Sequence, residues 1–291
     1  MGTAEIHLHL EGSLEPATVA EIDPSVRAEE VTAAYQYSTF AGFLEAYKWV
    51  VARLNTPGDY AIAARRLFER LTQEGVTHLD LNLSIGVMLR RELPARAIIE
   101  AIRAEAAVTT IEVDYVFDAV RQWGPEAALP VAELAREYGA MFGVGGDETR
   151  WPLADYRDAA RRAGGWFVPH AGETSDARNV WEAVECGARR IGHGIRAIKD
   201  ETLCRRLRDD DIPLEISISS NVMTGSVPSL AGHPVRRLFD LGVPITLNTD
   251  DPAMFHTTLA REFEIARQVF GFTEREIGQL RQNALKYRRA C

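Results

Sequence analysis

Eight times along the chain a short stretch of strand character precedes an amphipathic helical pattern or a turn, and this alternation constrains the fold more than any other feature. The strand candidates are 4–10, 76–83, 111–119, 140–144, 166–169, 190–192, 213–218 and 243–248. Helical patterns at 60–74, 94–107, 125–138, 153–163, 176–186, 200–209 and 234–241 lie between most of them. Strands joined by crossover helices form parallel sheets, and eight such units predict a (β/α)8 TIM barrel. An open doubly wound sheet is the competitor, but no Gly-x-Gly-x-x-Gly turn follows the first strand. With 291 residues and no low-complexity tract, the whole chain, 1–291, is read as one barrel domain.

Two segments depart from the alternation. About 65 residues separate the first and second strands, far more than one helix needs. Within them, 38–54 carries Phe40, Phe43, Tyr47, Trp49 and Val50 and predicts a helical insertion after strand 1. A long connection of this kind opens onto the face where a barrel gathers its strand C-termini, so it is a natural lid or pocket wall. After the eighth strand, 257–270 and 273–289 read as two helices, the second opened by a Thr273/Glu276 capping box.

Charge and cysteine usage exclude several classes. The net charge is −9, and no basic cluster offsets it, which argues against a nucleic-acid partner. The pairs Arg161–Arg162, Arg189–Arg190, Arg205–Arg206 and Arg236–Arg237 read as solvated barrel exterior. No apolar run is long enough for a bilayer, so no membrane partner is expected. Residues 1–10 hold two histidines and a glutamate, which is not a secretory signal. Cys186, Cys204 and Cys291 are odd in number and form no Cys-x-x-Cys pair, so a disulfide framework is not expected and a cytoplasmic location is. No feature specifies an oligomeric state.

The residues that carry chemistry end strands. His7 and His9 stand two apart on the first strand, so both imidazoles point to one face, the barrel interior. His170 at the end of strand five and Asp250 at the end of strand eight complete a set of three imidazoles and a carboxylate. Such a set, with one position left to water, suits one Zn2+ per chain. Glu173, three residues after His170, can reach a metal-bound water or a substrate nitrogen; the alternative is an N-terminal helix residue favoured by the dipole. His193, between two glycines at the end of strand six, has room to act beside the metal water.

Five motifs in order resemble one family across nearly the whole chain. They are His-Leu-His-Leu-Glu-Gly-Ser-Leu (7–14), His-Ala-Gly-Glu (170–173), Arg-Ile-Gly-His-Gly (190–194), Ser-Ser-Asn (219–221) and Asn-Thr-Asp-Asp-Pro (248–252). Together they resemble the adenosine and adenine deaminase family of the metal-dependent amidohydrolases. The resemblance implies that His7, His9, His170 and Asp250 are metal ligands and that Glu173 protonates purine N1. It further implies that His193 orients the attacking hydroxide, that Asp251 holds N7 and that the Gly146 N–H meets N3. The reaction implied is hydrolytic deamination of a 6-aminopurine to the 6-oxopurine and ammonia. Two-metal relatives use a lysine after the fourth strand, and the three lysines here (Lys48, Lys199, Lys286) lie elsewhere. The cysteine-ligated zinc deaminases are excluded because the chain has no such cysteine pair.

The expected partner is a small-molecule purine nucleoside. Adenosine deaminases usually carry Asp, a ribose contact, at the position of Glu11; Glu there resembles the adenine deaminases. Ser84, in the 83–87 segment after strand two, is a candidate substrate contact. That segment is closer in character to relatives acting on 6-amino-6-deoxyfutalosine. A compressed 16–41 segment suggests an open 5′ side. A 5′-extended adenine nucleoside or adenosine is therefore expected ahead of adenine. The rival classes are another amidohydrolase reaction on the same metal site and a non-catalytic purine-binding barrel.

Overall fold

A computed structural model describes residues 2–289. Eight parallel strands follow one another in sequence order around the sheet: β1 (Thr3–His9), β2 (Val76–Leu83), β3 (Glu112–Val120), β4 (Met141–Gly145), β5 (Phe167–Ala171), β6 (Ile191–His193), β7 (Leu214–Ile216) and β8 (Ile245–Leu247). The architecture is the (β/α)8 barrel, because each strand is too apolar to face water and the intervening helices cover the outer face.

The barrel closes between β8 and β1 at the residues singled out for chemistry. Asp250 bridges Leu8, donating its N–H to the His7 carbonyl (3.0 Å) and accepting from the His9 N–H (2.8 Å). One strand position earlier on β1, the Ile6 N–H donates to Asn248 Oδ1 at 3.2 Å. Glu5, fully buried, accepts from the N–H and the hydroxyl of Thr249, both at 3.2 Å. The seam is thus made by side chains and a turn rather than by a regular ladder.

The strand and helix spans agree with the sequence reading to within a few residues, with three differences. The insertion after β1 holds three helices, Pro16–Ile22, Ala28–Ala34 and Phe40–Val51, where one was expected. The segment after β2 turns into a short helix, Ile85–Arg90, and 218 onward is a helix, Ile218–Met223, rather than strand. Arg190 is not solvated exterior: its guanidinium is buried against two carboxylates. A long polar side chain at a strand start can run inward under the barrel, a choice that sequence spacing does not reveal.

Thr39 and Thr56 cap the helices Phe40–Val51 and Pro57–Gln73 by accepting backbone N–H groups, and Thr273 and Glu276 form the expected capping box. Phe43, Ala46 and Val50 turn one face of the insertion helix into the core, where Phe43 packs 5.0 Å from Phe255 of the loop after β8. The Tyr37 hydroxyl donates to the Met254 carbonyl at 2.6 Å, fastening the insertion to that loop. Among the described residues no helix is long and apolar enough to cross a membrane. Cys186 and Cys204 are free thiols; Cys291 lies outside the described residues.

Candidate active site

Strand ends bring the candidate ligands together at the C-terminal mouth of the barrel. His9 Nε2 stands 3.2 Å from His170 Nε2 and 3.4 Å from Asp250 Oδ1. His7 Nε2 lies 3.5 Å from Asp250 Oδ1 and has no hydrogen-bond partner. One donor atom each from His7, His170, His193 and Asp250 lies within 4.8 Å of all the others. His193 is held differently from the rest: Asn221 meets its Nδ1 at 3.1 Å, and its Nε2 is 3.7 Å from Glu173 Oε2 and 3.9 Å from Asp250 Oδ2. Both His193 (φ 61°) and Asp250 (φ 65°) adopt left-handed backbone, an uncommon conformation outside glycine that the surrounding bonds must maintain.

Behind this cluster lies a buried polar layer that sequence reading missed. Glu215 on β7 accepts from His7 Nδ1 at 2.7 Å, which leaves Nε2 aimed at the centre. Arg190 bridges Glu215 (2.5 Å) and Asp80 of β2 (2.6 Å) and donates to the Tyr287 carbonyl (2.9 Å). Asp118 of β3 stands 3.7 Å from His9 Nδ1 and accepts from Asn82 at 2.9 Å. Ser220 donates to Asp250 Oδ2 at 2.7 Å. The signal available in the sequence was a charged residue inside an apolar strand, as at Asp80, Asp118 and Glu215.

The electrostatics follow from burial and neighbouring charge. Burial, against the opposing pull of Asp250, lowers His9 to about 4. Burial and then the adjacent imidazoles hold His170 well below the usual range. Burial alone would lower His7, but the neighbouring Asp250 carboxylate and the bond to Glu215 outweigh this and raise it. Asp250 is pulled well below the ordinary carboxylate range because His7 and the other imidazoles override its burial. Two neutral imidazoles and a carboxylate flanking a site that favours positive charge form a donor set suited to a divalent cation.

A cavity of about 250 Å3 opens beside the cluster. Glu173 reaches it, with Oε1 accepting from the hydroxyls of Thr224 (3.2 Å) and Ser226 (3.1 Å); burial raises its carboxyl above the ordinary value. Asp251 also lines the cavity, raised well above its usual range by burial and the adjacent Asp250. A side chain at Gly12 would overlap the Asp251 carboxylate, so glycine is what permits that approach. Gly146 (φ 106°) and Ser84 line the wall, and the Ser84 hydroxyl pairs with Tyr47 at 2.8 Å. Glu11 does not line the cavity. It is fully buried, accepts from the Ser84 N–H at 3.0 Å, and is pushed by burial up to about 7. Phe40, Leu44, Val51, Val87 and Trp123 give the wall an apolar stretch, on which Lys48 and Gln122 are polar members.

The model of the family described as adenosine deaminase matches residues 3–289 of this chain. The chain belongs to the adenosine deaminase family. An adenine deaminase of Sinorhizobium medicae (strain WSM419) is 35% identical over 299 residues, 97% of this chain and 92% of that protein. An aminodeoxyfutalosine deaminase of Streptomyces coelicolor is 34% identical over 305 residues, 97% of this chain and 79% of that protein. The crystal structure of adenine deaminase from Arthrobacter aurescens superposes with a TM-score of 0.92 at 26% identity, covering 99% of this chain and 94% of that one. As a member of the adenosine deaminase family, the protein is a metal-dependent hydrolytic deaminase of adenine-type substrates.

Proposed function

We propose that the protein binds one zinc ion through His7, His9, His170 and Asp250 and deaminates a 5′-extended adenine nucleoside, or adenosine, to the 6-oxopurine. The alignment of acid, base and ligand set carries this reading: Glu173 Oε2 is 3.7 Å from His193 Nε2, which is 3.9 Å from Asp250 Oδ2. When bound, the metal would supply Lewis-acid activation of a water molecule near neutral pH. Nitrogen and oxygen donors without thiolate suit zinc, and His193, already bonded to Asn221, is left free for proton transfer.

The protein's own groups divide the remaining work. Glu173, whose carboxyl burial raises above its ordinary value, donates to N1 and makes C6 electrophilic. His193 takes the proton of the attacking water as the C6–O bond forms. Asp251, whose carboxyl burial and the adjacent Asp250 raise well above the ordinary range, donates to N7, and the Gly146 N–H donates to N3. His193 returns the water's proton to the 6-amino group, which leaves as ammonia as the C6–N bond breaks, and the C6 hydroxyl proton passes to Glu173, leaving the 6-oxopurine and both groups restored.

The apolar wall of Phe40, Leu44, Val51, Val87 and Trp123 extends the cavity beyond the purine-reading groups, which favours a substrate larger than the base. Adenine is the second reading, favoured by Glu11: the residue does not line the cavity, and one of its carboxylate oxygens is taken by the Ser84 N–H. Ammonia release and loss of adenine absorbance from adenine, adenosine and 6-amino-6-deoxyfutalosine, compared as kcat/KM, test the order. A tenfold preference for adenine, about 1.4 kcal/mol of transition-state stabilisation, would overturn the substrate reading and leave the reaction intact. No ammonia from any of the three would overturn the proposed purine chemistry.

A further inference from the structure

Beyond the groups that touch the purine, Glu148 occupies an unusual place. It is 4% exposed and follows Gly146 by two residues on the loop after β4, yet its carboxylate belongs to the loop after β5. Oε1 accepts from the Glu173 N–H at 2.9 Å; Oε2 accepts from the N–H groups of Gly172 (2.8 Å) and Ser175 (3.3 Å) and from the Ser175 hydroxyl. A turn of successive N–H groups around one anion is a backbone nest, and Gly172 at φ 71° supplies the left-handed residue that such a turn needs.

The β4–β5 ladder ends at Val144 and Pro169, before either functional loop begins. Past that point, among the described residues, the polar contacts between 146–148 and 170–175 are those made by Glu148. On its other side the loop is tied to the segment after β3, where Gln122 Oε1 accepts from the Asp147 N–H at 3.1 Å. A side chain at Gly146 would overlap that same Gln122 oxygen. Gly146 and Glu173 are therefore not independent features of two loops. Their separation is set through one buried carboxylate.

We propose that Glu148 is a positioning residue that fixes the Gly146 N–H and the Glu173 carboxyl at the spacing of N3 and N1 on one edge of the adenine ring. This rests on the purine orientation proposed above. N1 and N3 flank C2, so a rigid pair of groups reads that edge as a unit, whereas two separately mobile loops would lose part of each contact. A carboxylate is required because all its partners are donors. An amide would turn its own N–H2 toward one of them and leave a buried N–H unpaired.

Glu148→Gln tests this without changing the side chain's shape. Its kcat/KM on the best adenine substrate should fall about ten- to hundredfold, the range that follows from one unpaired buried donor, with metal content per chain unchanged. That loss alone would also follow from a general structural role, so the deciding readout uses two inhibitors, hypoxanthine and 3-deazahypoxanthine. In the wild type, replacing N3 by C–H should weaken inhibition about tenfold, as loss of one hydrogen bond does. In Glu148→Gln the two should inhibit within about twofold of each other. A tenfold ratio preserved in the variant would overturn the positioning role. A ratio of one in the wild type would overturn the N3 contact and this unit with it, whereas wild-type turnover of an adenine compound tests the reaction separately. Should Glu148→Gln not accumulate as folded protein, Glu148→Asp keeps the charge but withdraws it by one methylene. A wild-type ratio together with wild-type turnover in that variant would overturn the role equally.

Discussion

Glu173 shows how environment assigns a role to a residue type. A solvent-exposed glutamate is ionised at neutral pH and cannot serve as an acid, but burial raises this carboxyl, and Thr224 and Ser226 hold one oxygen while the other faces His193. Glu173→Gln preserves the shape and the backbone bonds to Glu148 and removes only the transferable proton. It should keep metal and 6-oxopurine binding and lose turnover by about 10²-fold or more. Measured kcat within a few-fold of wild type would place the acid elsewhere. At the same scale, His7 owes its aim to Glu215, which is held by Arg190 and through it by Asp80, so one candidate ligand depends on residues from β2, β7 and the turn into β6.

Short helices after the strands carry the groups that hold the candidate site's side chains. The helix Ile218–Met223 presents Ser220 to Asp250 and Asn221 to His193, and its first N–H groups are capped by buried Glu262 at 2.9 and 3.3 Å. His233 supports the same element: Nε2 meets Asn221 Oδ1 at 3.2 Å and Nδ1 accepts from the Val235 N–H at 3.1 Å. Both nitrogens are committed in the neutral form, and burial lowers His233 to about 3. Because its folded value lies below the unfolded value near 6.5, the unfolded chain binds the proton first. The stabilisation His233 provides is therefore complete above about pH 6.5 and is lost as pH falls toward 3. The stability gap between wild type and His233→Gln should narrow by about 2 kcal/mol between pH 7 and pH 4.5 in denaturant titrations. A gap independent of pH would show that His233 is not held neutral.

For the whole molecule, the candidate ligand cluster and the closing seam of the barrel are the same place. Asp250 joins β8 to β1 by backbone bonds to His7 and His9 while its carboxylate faces their imidazoles. A cation bound there favours the folded chain by mass action, by about 4 kcal/mol at a thousandfold excess over its Kd. Removing metal with a chelator should lower Tm by several degrees, and one equivalent of zinc should restore it. An unchanged Tm, or restoration that needs two equivalents, would count against a single ion coupled to closure.

Much of this was legible in the sequence because periodicity and local chemistry are local properties. The alternation of strand and helix patterns specified the barrel, and barrel geometry placed His7, His9, His170, His193 and Asp250 at one mouth. What surrounds them was decided only by tertiary structure. Arg190 reads like its neighbour Arg189 in the sequence, yet it runs inward because two buried carboxylates, Glu215 and Asp80, need a cation beside them. Glu11 follows a histidine motif in the sequence, but only the turn after β1 brings one of its carboxylate oxygens to the Ser84 N–H. Glu148 stands beside Gly146 in sequence and serves Glu173 in space. Such long-range partners carry no period and no fixed spacing, because they satisfy buried polar groups that exist only once the strands have met.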